Sequence, residues 1–496
     1  MKRLICLLLA ALMILSLCAC GKEDSAQSEP ENKGPGVFQV GFGKGDITPT
    51  ELYVPMNGYS KSTERLSTGL RSFIYAITLA VRDADGNTAL IMSVDNCQVD
   101  SLGEETRDWA STTYGIPREN IVISTIHQHS CPNPHVADWP TSIRYRKVMV
   151  AGMKDSVTKA MEDLAPAEMY INTATTNALS FVRQYIMSDG SIAGDNYGTT
   201  AGLTIKGHES DSDKEMRMIK FTREGDKKDI IVVNFQAHPH IGTSGAATDI
   251  HSDWPGVLRD EVTKSLGCET MYISGAGGNL NSHSWIDEEN ITRNRDHVAH
   301  GKRAAQYVID AEGGYTKVET GKVVAKEMTV SYEADHSMDH LYKKAKEIDD
   351  ARAESTAAAE KALKKYYPEI HSIYHATSIV TKYNAGQTVD MTIGAIAFGD
   401  VVFTSHPYEM FDTNGMELRA GSAKHVNKDN YDADDQLENP YKMTMLCTMT
   451  NLVVCYVPSR LGYDNGGYST DTTKVAPGTG EQLVGDYLRI LNELHG

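Results

Sequence analysis

The sequence predicts a mixed α/β (α+β) chain: one large domain of mixed sheets flanked by helices, with a long helical insertion near residues 338–367. Three observations predict it. Short apolar runs alternate with helical patterns and Gly-rich turns from Val37 to about Tyr315. A 496-residue chain can bury a large core, and neither an internal repeat nor a composition break divides it.

In chain order, Lys2 and Arg3 precede the apolar run Leu4 to Leu17, the layout of a secretory signal over residues 1–19 that is too short to span a bilayer. Leu17-Cys18-Ala19-Cys20-Gly21 resembles a bacterial lipobox, which implies cleavage before Cys20, lipid on that cysteine, and a protein anchored to the membrane at the bacterial cell surface. Residues 20–36 are polar, charged and poor in large apolar side chains, and so read as a flexible tether. The domain then occupies 37–496. Tyr75 to Val81, Ala89 to Val94, Ile121 to Ile126, Ile230 to Phe235 and Met271 to Ile273 read as strands, and Arg144 to Leu164 and Trp254 to Leu266 as amphipathic helices. Met338 to Tyr367 is rich in Ala, Lys and Glu, lacks Gly and Pro, and stops at Pro368, which predicts one long exposed helix. Met391 to Phe398 and Val401 to Ser405 read as a strand pair turning at Gly399-Asp400.

The formal charge of −18 and the lack of a basic cluster argue against nucleic acid as a partner. Of the eight cysteines, Cys97, Cys131, Cys268, Cys447 and Cys455 lie beyond Cys20. An odd number without CxxC spacing argues against a disulfide framework and against a thiolate zinc site, and leaves them as small buried apolar residues.

Chemistry concentrates where strands end. His127 and His129 follow the Ile121 run two positions apart, so on an extended strand both would face one side. They are either a metal-binding edge with one ligand and one proton carrier, or two polar residues at a strand end. His238 and His240 follow the Ile230 run in the same way, and spacing does not choose between them. Met271 to Asn281, MYISGAGGNLN, is a strand entering a glycine-rich turn, read either as a tight turn or as a source of amides for an oxyanion. Glu409 follows Val401 to Phe403, where a solvated carboxylate is the plain alternative to a ligand.

Taken together these segments resemble the catalytic domain of the neutral/alkaline (non-lysosomal) ceramidases, zinc-dependent amidases that cleave the N-acyl bond of ceramide. The likeness runs from about Val40 to the C-terminus. Val40 to Pro49 with Met56-Asn57-Gly58-Tyr59 is similar to the family's opening strand and GY turn. Ser124 to Pro132 resembles its THTHSGP motif, with Ile126, Gln128 and Cys131 as departures. Gln236 to Pro239 with Ser252 to Gly256, His406 to Glu409, and Val454 to Pro458 resemble the remaining pieces. The resemblance implies Zn2+ held by His127, His238, Glu409 and Tyr456, with His129 and Tyr468 beside a small-molecule or lipid amide substrate. By residue type, Arg183 would bind a polar group of that substrate. Asn281 stands where the family's GDxSPN segment carries serine, and no counterpart of the C-terminal immunoglobulin-like domain is expected. Two alternatives remain. One is a two-metal phosphoesterase using Asp46, Asp95, Asn96, His127, His238 and His240; the other is a solute-binding lipoprotein whose catalytic residues have decayed, a reading that the asparagine favours.

Overall fold

Two β-sheets stack face to face because their strands carry apolar side chains on both faces. In the computed structural model, which describes residues 36–59, 62–194, 202–243, 246–286, 289, 296–421 and 437–496, the first sheet contains β1 (Gln39–Asp46), β2 (Tyr75–Arg82), β3 (Thr88–Val94), β4 (Ile121–Thr125), β5 (Ala165–Thr175), β6 (Glu215–Arg223), β7 (Ile230–Phe235) and β8 (Glu269–Ser274). They run in the order β8-β7-β6-β5-β1-β2-β3-β4, and Thr316–Lys317 pairs with β5. The second sheet is β9 (Val323–Glu333), β10 (Thr388–Phe398), β11 (Val401–His406) and β12 (Met443–Thr448), in that order. The signal at 1–19 and the tether at 20–36 lie outside the described residues except for Gly36. Val37–Gly496 forms one compact unit.

Period-two alternation sorts the layers. Ile77, Leu79 and Val81 of β2, with Ile230 and Val232 of β7, meet Ile396, Phe403 and Met445 of the second sheet in one buried cluster. The opposite face of β2 and β3, including Ala76, Ala80, Leu90 and Met92, lies under helices α1 (Asp100–Tyr114) and α2 (Pro140–Glu162). Ile231, Val233 and Phe235 lie under α3 (Asp253–Leu266) and α4 (His297–Asp310). The outer face of the second sheet packs on α8 (Thr479–His495) through Leu483, Tyr487 and Leu491. The result is a helix–sheet–sheet–helix stack. The expected strands are present, as are the helices expected near Arg144–Leu164 and Trp254–Leu266, and β10 and β11 turn at Gly399, with φ +67°.

The 338–367 stretch is helical but not one rod. It breaks into α5 (Tyr342–Glu354) and α6 (Thr356–Leu363), followed by α7 (Ile373–Tyr383). The interruption is Ser355, which is extended at φ −170° and accepts a hydrogen bond on its side chain from Ala358 N–H. A serine that satisfies a free amide starts a new helix, and the bend lets Leu341, Ile348, Ile370 and Ile379 form a small core of their own. Among the described residues no helix is long and apolar enough to cross a membrane.

Three of the adjacent pairs are parallel: β3/β4, β7/β8 and β11/β12. Their carboxyl ends meet. Ser93 Oγ donates to Tyr272 O (2.7 Å), Asn234 Nδ2 to Leu446 O (2.9 Å), Thr448 Oγ1 to Ser274 O (3.1 Å), and Ser124 bridges Thr450. This rim is where the histidine motifs emerge.

His300, fully buried on α4 against Trp254, has no hydrogen-bond partner on either ring nitrogen among the described residues. Burial pushes its pKa down to about 3. An unfolded histidine, near ~6.5, takes up a proton that the fold refuses, so this residue costs stability as the pH falls below ~6.5. His300→Leu is expected to gain about 2 kcal/mol over the parent between pH 7.5 and pH 5, read from urea midpoints. An equal difference at both values would contradict the assignment.

Candidate metal centre

His127 lies just beyond β4, where the chain leaves its extended path. Its φ is +58°, a left-handed conformation that costs a non-glycine residue about 1–3 kcal/mol and collects at functional sites. The expectation that His127 and His129 share a side through strand alternation therefore gives way to a sharp turn. The two rings still sit 5.1 Å apart, while Gln128 points inward, donating to Asp95 O (3.1 Å) and accepting from Ser130 N–H (2.6 Å).

The turn aims His127 at Glu409. His127 Nε2 is 3.3 Å and His238 Nε2 is 3.1 Å from the same oxygen, Glu409 Oε2. Each imidazole has its other nitrogen committed. His127 Nδ1 is 3.2 Å from Cys97 O, and His238 Nδ1 is 2.8 Å from Gly277 O and 3.0 Å from Leu280 O. A carbonyl only accepts, so both Nδ1 atoms carry a hydrogen, which leaves Nε2 of each ring as the atom a metal would take, in place of any proton there. Donors ~2.0–2.1 Å from a tetrahedral zinc are ~3.3 Å from one another, and two imidazoles with one carboxylate are ordinary zinc partners. The three side chains line a cavity of about 10 Å³, together with Ala237, Gly277 and Met449. Such a space suits an ion or a single water.

Electrostatics bind the trio together. Burial opposes charge on His127, yet the Cys97 thiol and the Glu409 carboxylate hold its pKa well above the usual imidazole range. Burial would raise Glu409, but His127 and His238 hold it well below the usual carboxylate range.

Glu409 and Tyr456 are directly opposite in a two-residue parallel ladder, Glu409–Met410 against Tyr456–Val457. Burial, then Glu409, keeps the Tyr456 phenol well above its usual pKa. The rings of Tyr456 and Tyr468 are 5.8 Å apart. Arg183, buried, stands over both rings at 5.3 and 5.7 Å and donates to Ser469 Oγ at 2.6 Å. All eight expected site residues thus fall in one neighbourhood, with Asn281 forming a bridge to His238 and its Oδ1 3.1 Å from His240 Nε2.

Two open alternatives narrow. The glycine-rich turn offers carbonyls: the amides of Gly275 and Gly278 donate to Phe235 O and Met410 O, while Gly277 O receives His238. Gly278 is required because a Cβ there would lie 2.7 Å from Glu409 O. The phosphoesterase reading loses its carboxylates and amide: Asp95 is fully buried in a two-pronged pair with Arg259 (2.7 and 2.6 Å), Asp46 Oδ1 accepts from Thr48 N–H, and Asn96 holds Pro132 O and Tyr145.

Two roles went unassigned from the sequence: the Cys97 carbonyl, which orients His127, and Gly58, which backs His129. Gly58 has φ +95°, and a Cβ there would lie 2.5 Å from His129 Cγ. Tyr59 packs edge-on against the other side of that ring, 5.1 Å away. Neither ring nitrogen of His129 has a hydrogen-bond partner among the described residues. The GY pair in the sequence was the available sign.

Comparison with known proteins agrees with this arrangement. Residues 38–266 match the sequence family described as neutral/alkaline non-lysosomal ceramidase, N-terminal. The structure is similar to that of neutral ceramidase from Pseudomonas aeruginosa, with a TM-score of 0.65 at 18% identity over 92% of this chain and 75% of that one. It is also similar to a ceramidase complexed with C2, with a TM-score of 0.66 at 16% identity over the same shares of the two chains. No curated protein matches by sequence.

Proposed function

On the premise that this chain carries the neutral/alkaline ceramidase fold, we propose that it is a zinc-dependent hydrolase that cleaves an N-acyl amide, of ceramide-like lipid or a related compound, by direct attack of water. The observation that carries this reading is the pair of Nε2 atoms of His127 and His238 converging on one oxygen of Glu409. Tyr456 stands beside them as a fourth donor. Zinc held there supplies water acidified towards ~7 and polarisation of the acyl carbonyl.

The chain's own residues do the rest. His129, whose ring nitrogens have no hydrogen-bond partner among the described residues, takes a proton and delivers it to the leaving amine. Tyr468 donates to the oxygen that gains charge, and Arg183 holds a polar group of the substrate against the two tyrosines. Asn281 is spent on His240, and the neighbouring Ser282 hydroxyl donates to His238 O (2.6 Å), so neither attacks the substrate. Lipid on Cys20 would keep the enzyme at the membrane surface, where amide lipids reside.

Turnover of a panel of N-acyl amides is the test. Hydrolysis with zinc and none after chelation is expected; equal rates in both, or none in either, would reject the reading and leave the decayed binding protein. Gly58→Ala, by pushing His129, is expected to lower kcat at least ~10-fold with zinc content unchanged. An unaltered kcat would remove His129 from the proton path.

A further inference from the structure

A second group of metal-binding side chains lies between the helical insertion and the short helix Tyr468–Thr472. His371 precedes α7, His375 is in its first turn, and Asp471 comes from the short helix. His371 Nε2 is 2.8 Å from Asp471 Oδ2, and His375 Nε2 is 3.9 Å from Asp471 Oδ1. The two imidazoles stack with centroids 4.2 Å apart at 29°. One donor atom from each of the three residues lies within 4.8 Å of the other two.

A hydrogen bond from His371 to the carboxylate accounts for one ring. It does not account for the second. His375 is 5% exposed, its Nε2 faces the same carboxylate from beyond hydrogen-bond reach, and its buried Nδ1 has no partner among the described residues. We propose that His371, His375 and Asp471 form a second binding site for a divalent cation of the zinc type. Two imidazole nitrogens and a carboxylate oxygen make a zinc donor set, whereas calcium and magnesium take oxygen. The ~3.3 Å spacing of tetrahedral ligands falls between the two distances observed. The His371 side chain is 35% exposed, which leaves water free to complete the shell.

The position gives such an ion a task. Asp471 is on the same short helix as Tyr468, and α7 already grips that helix: Ser378 Oγ donates to Asp471 O, and Lys382 Nζ to Thr470 O at 3.1 Å. A shared ion would fasten the insertion to the wall of the first centre.

The test uses the full chain and zinc alone. In a His127→Ala/His238→Ala background, which removes the first centre, titration against a chromophoric chelator is expected to find about one zinc per chain, and adding His371→Gln is expected to remove it. Zinc should raise the thermal midpoint of that background and cease to do so after Asp471→Asn. No zinc in a background that keeps its near-ultraviolet circular dichroism, or zinc retained after His371→Gln, overturns the site. Should that background not fold, the wild type serves: one zinc fewer in His371→Gln supports the site, and an unchanged content overturns it. Zinc lost with His371→Gln but untouched by His127→Ala supports this site while rejecting the first.

Discussion

His238→Ala is expected to abolish zinc binding at the first centre and to lower kcat/KM by at least ~10³-fold, about 4 kcal/mol of transition-state stabilisation. The variant removes one of two nitrogen donors and also the ring N–H shared by Gly277 O and Leu280 O, each of which keeps a backbone donor, Leu280 N–H and His238 N–H, at 3.0 Å. Losing that shared hydrogen bond costs about 0.5–1.5 kcal/mol, so the glycine-rich turn should loosen slightly as well. His238→Gln separates the two effects, because an amide can still donate to the turn while binding zinc poorly. Elemental analysis and kinetics on both variants decide it: bound zinc and normal turnover in His238→Gln would remove this residue from the centre.

Asp95→Ala is expected to destabilise the fold by about 3–5 kcal/mol, the cost of leaving a buried guanidinium unpaired. Asp95 is fully buried, accepts both prongs of Arg259, and also receives Tyr75 N–H at 2.9 Å. It ties β2, β3 and α3 together beneath the histidine rim. The midpoint of urea unfolding should fall sharply, while the folded fraction keeps its zinc. Loss of a second zinc without loss of stability would instead revive the two-metal reading.

Much of this was legible because burial leaves a mark on composition. β7 appears in the sequence as the unbroken apolar run Ile230 to Phe235, since it is covered on both faces by the second sheet and by α3 and α4. The histidines were visible as polar residues directly after such runs. What the sequence did not reveal depends on local backbone choices or on distant partners. Ser355 splits the insertion although the surrounding Ala, Lys and Glu favour a continuous helix, because one capped amide and the small core around Ile348 outweigh propensity. The left-handed turn at His127 lies outside strand periodicity. Whether the glycine-rich turn shows amides or carbonyls to the site is set by Met410 O and the His238 ring, neither of which is near it in the chain. Cys97 looked like an inert buried thiol, yet its backbone carbonyl lies 3.2 Å and its sulfur 3.5 Å from His127 Nδ1.

The most direct test of the central claim is anomalous diffraction at the zinc edge from crystals of the full domain grown with zinc. A peak is expected within ~2.0–2.2 Å of His127 Nε2, His238 Nε2 and a Glu409 carboxylate oxygen, with the Tyr456 hydroxyl beside it. A map in which those atoms surround no peak, with His127 and His238 still in contact with Glu409, would contradict it.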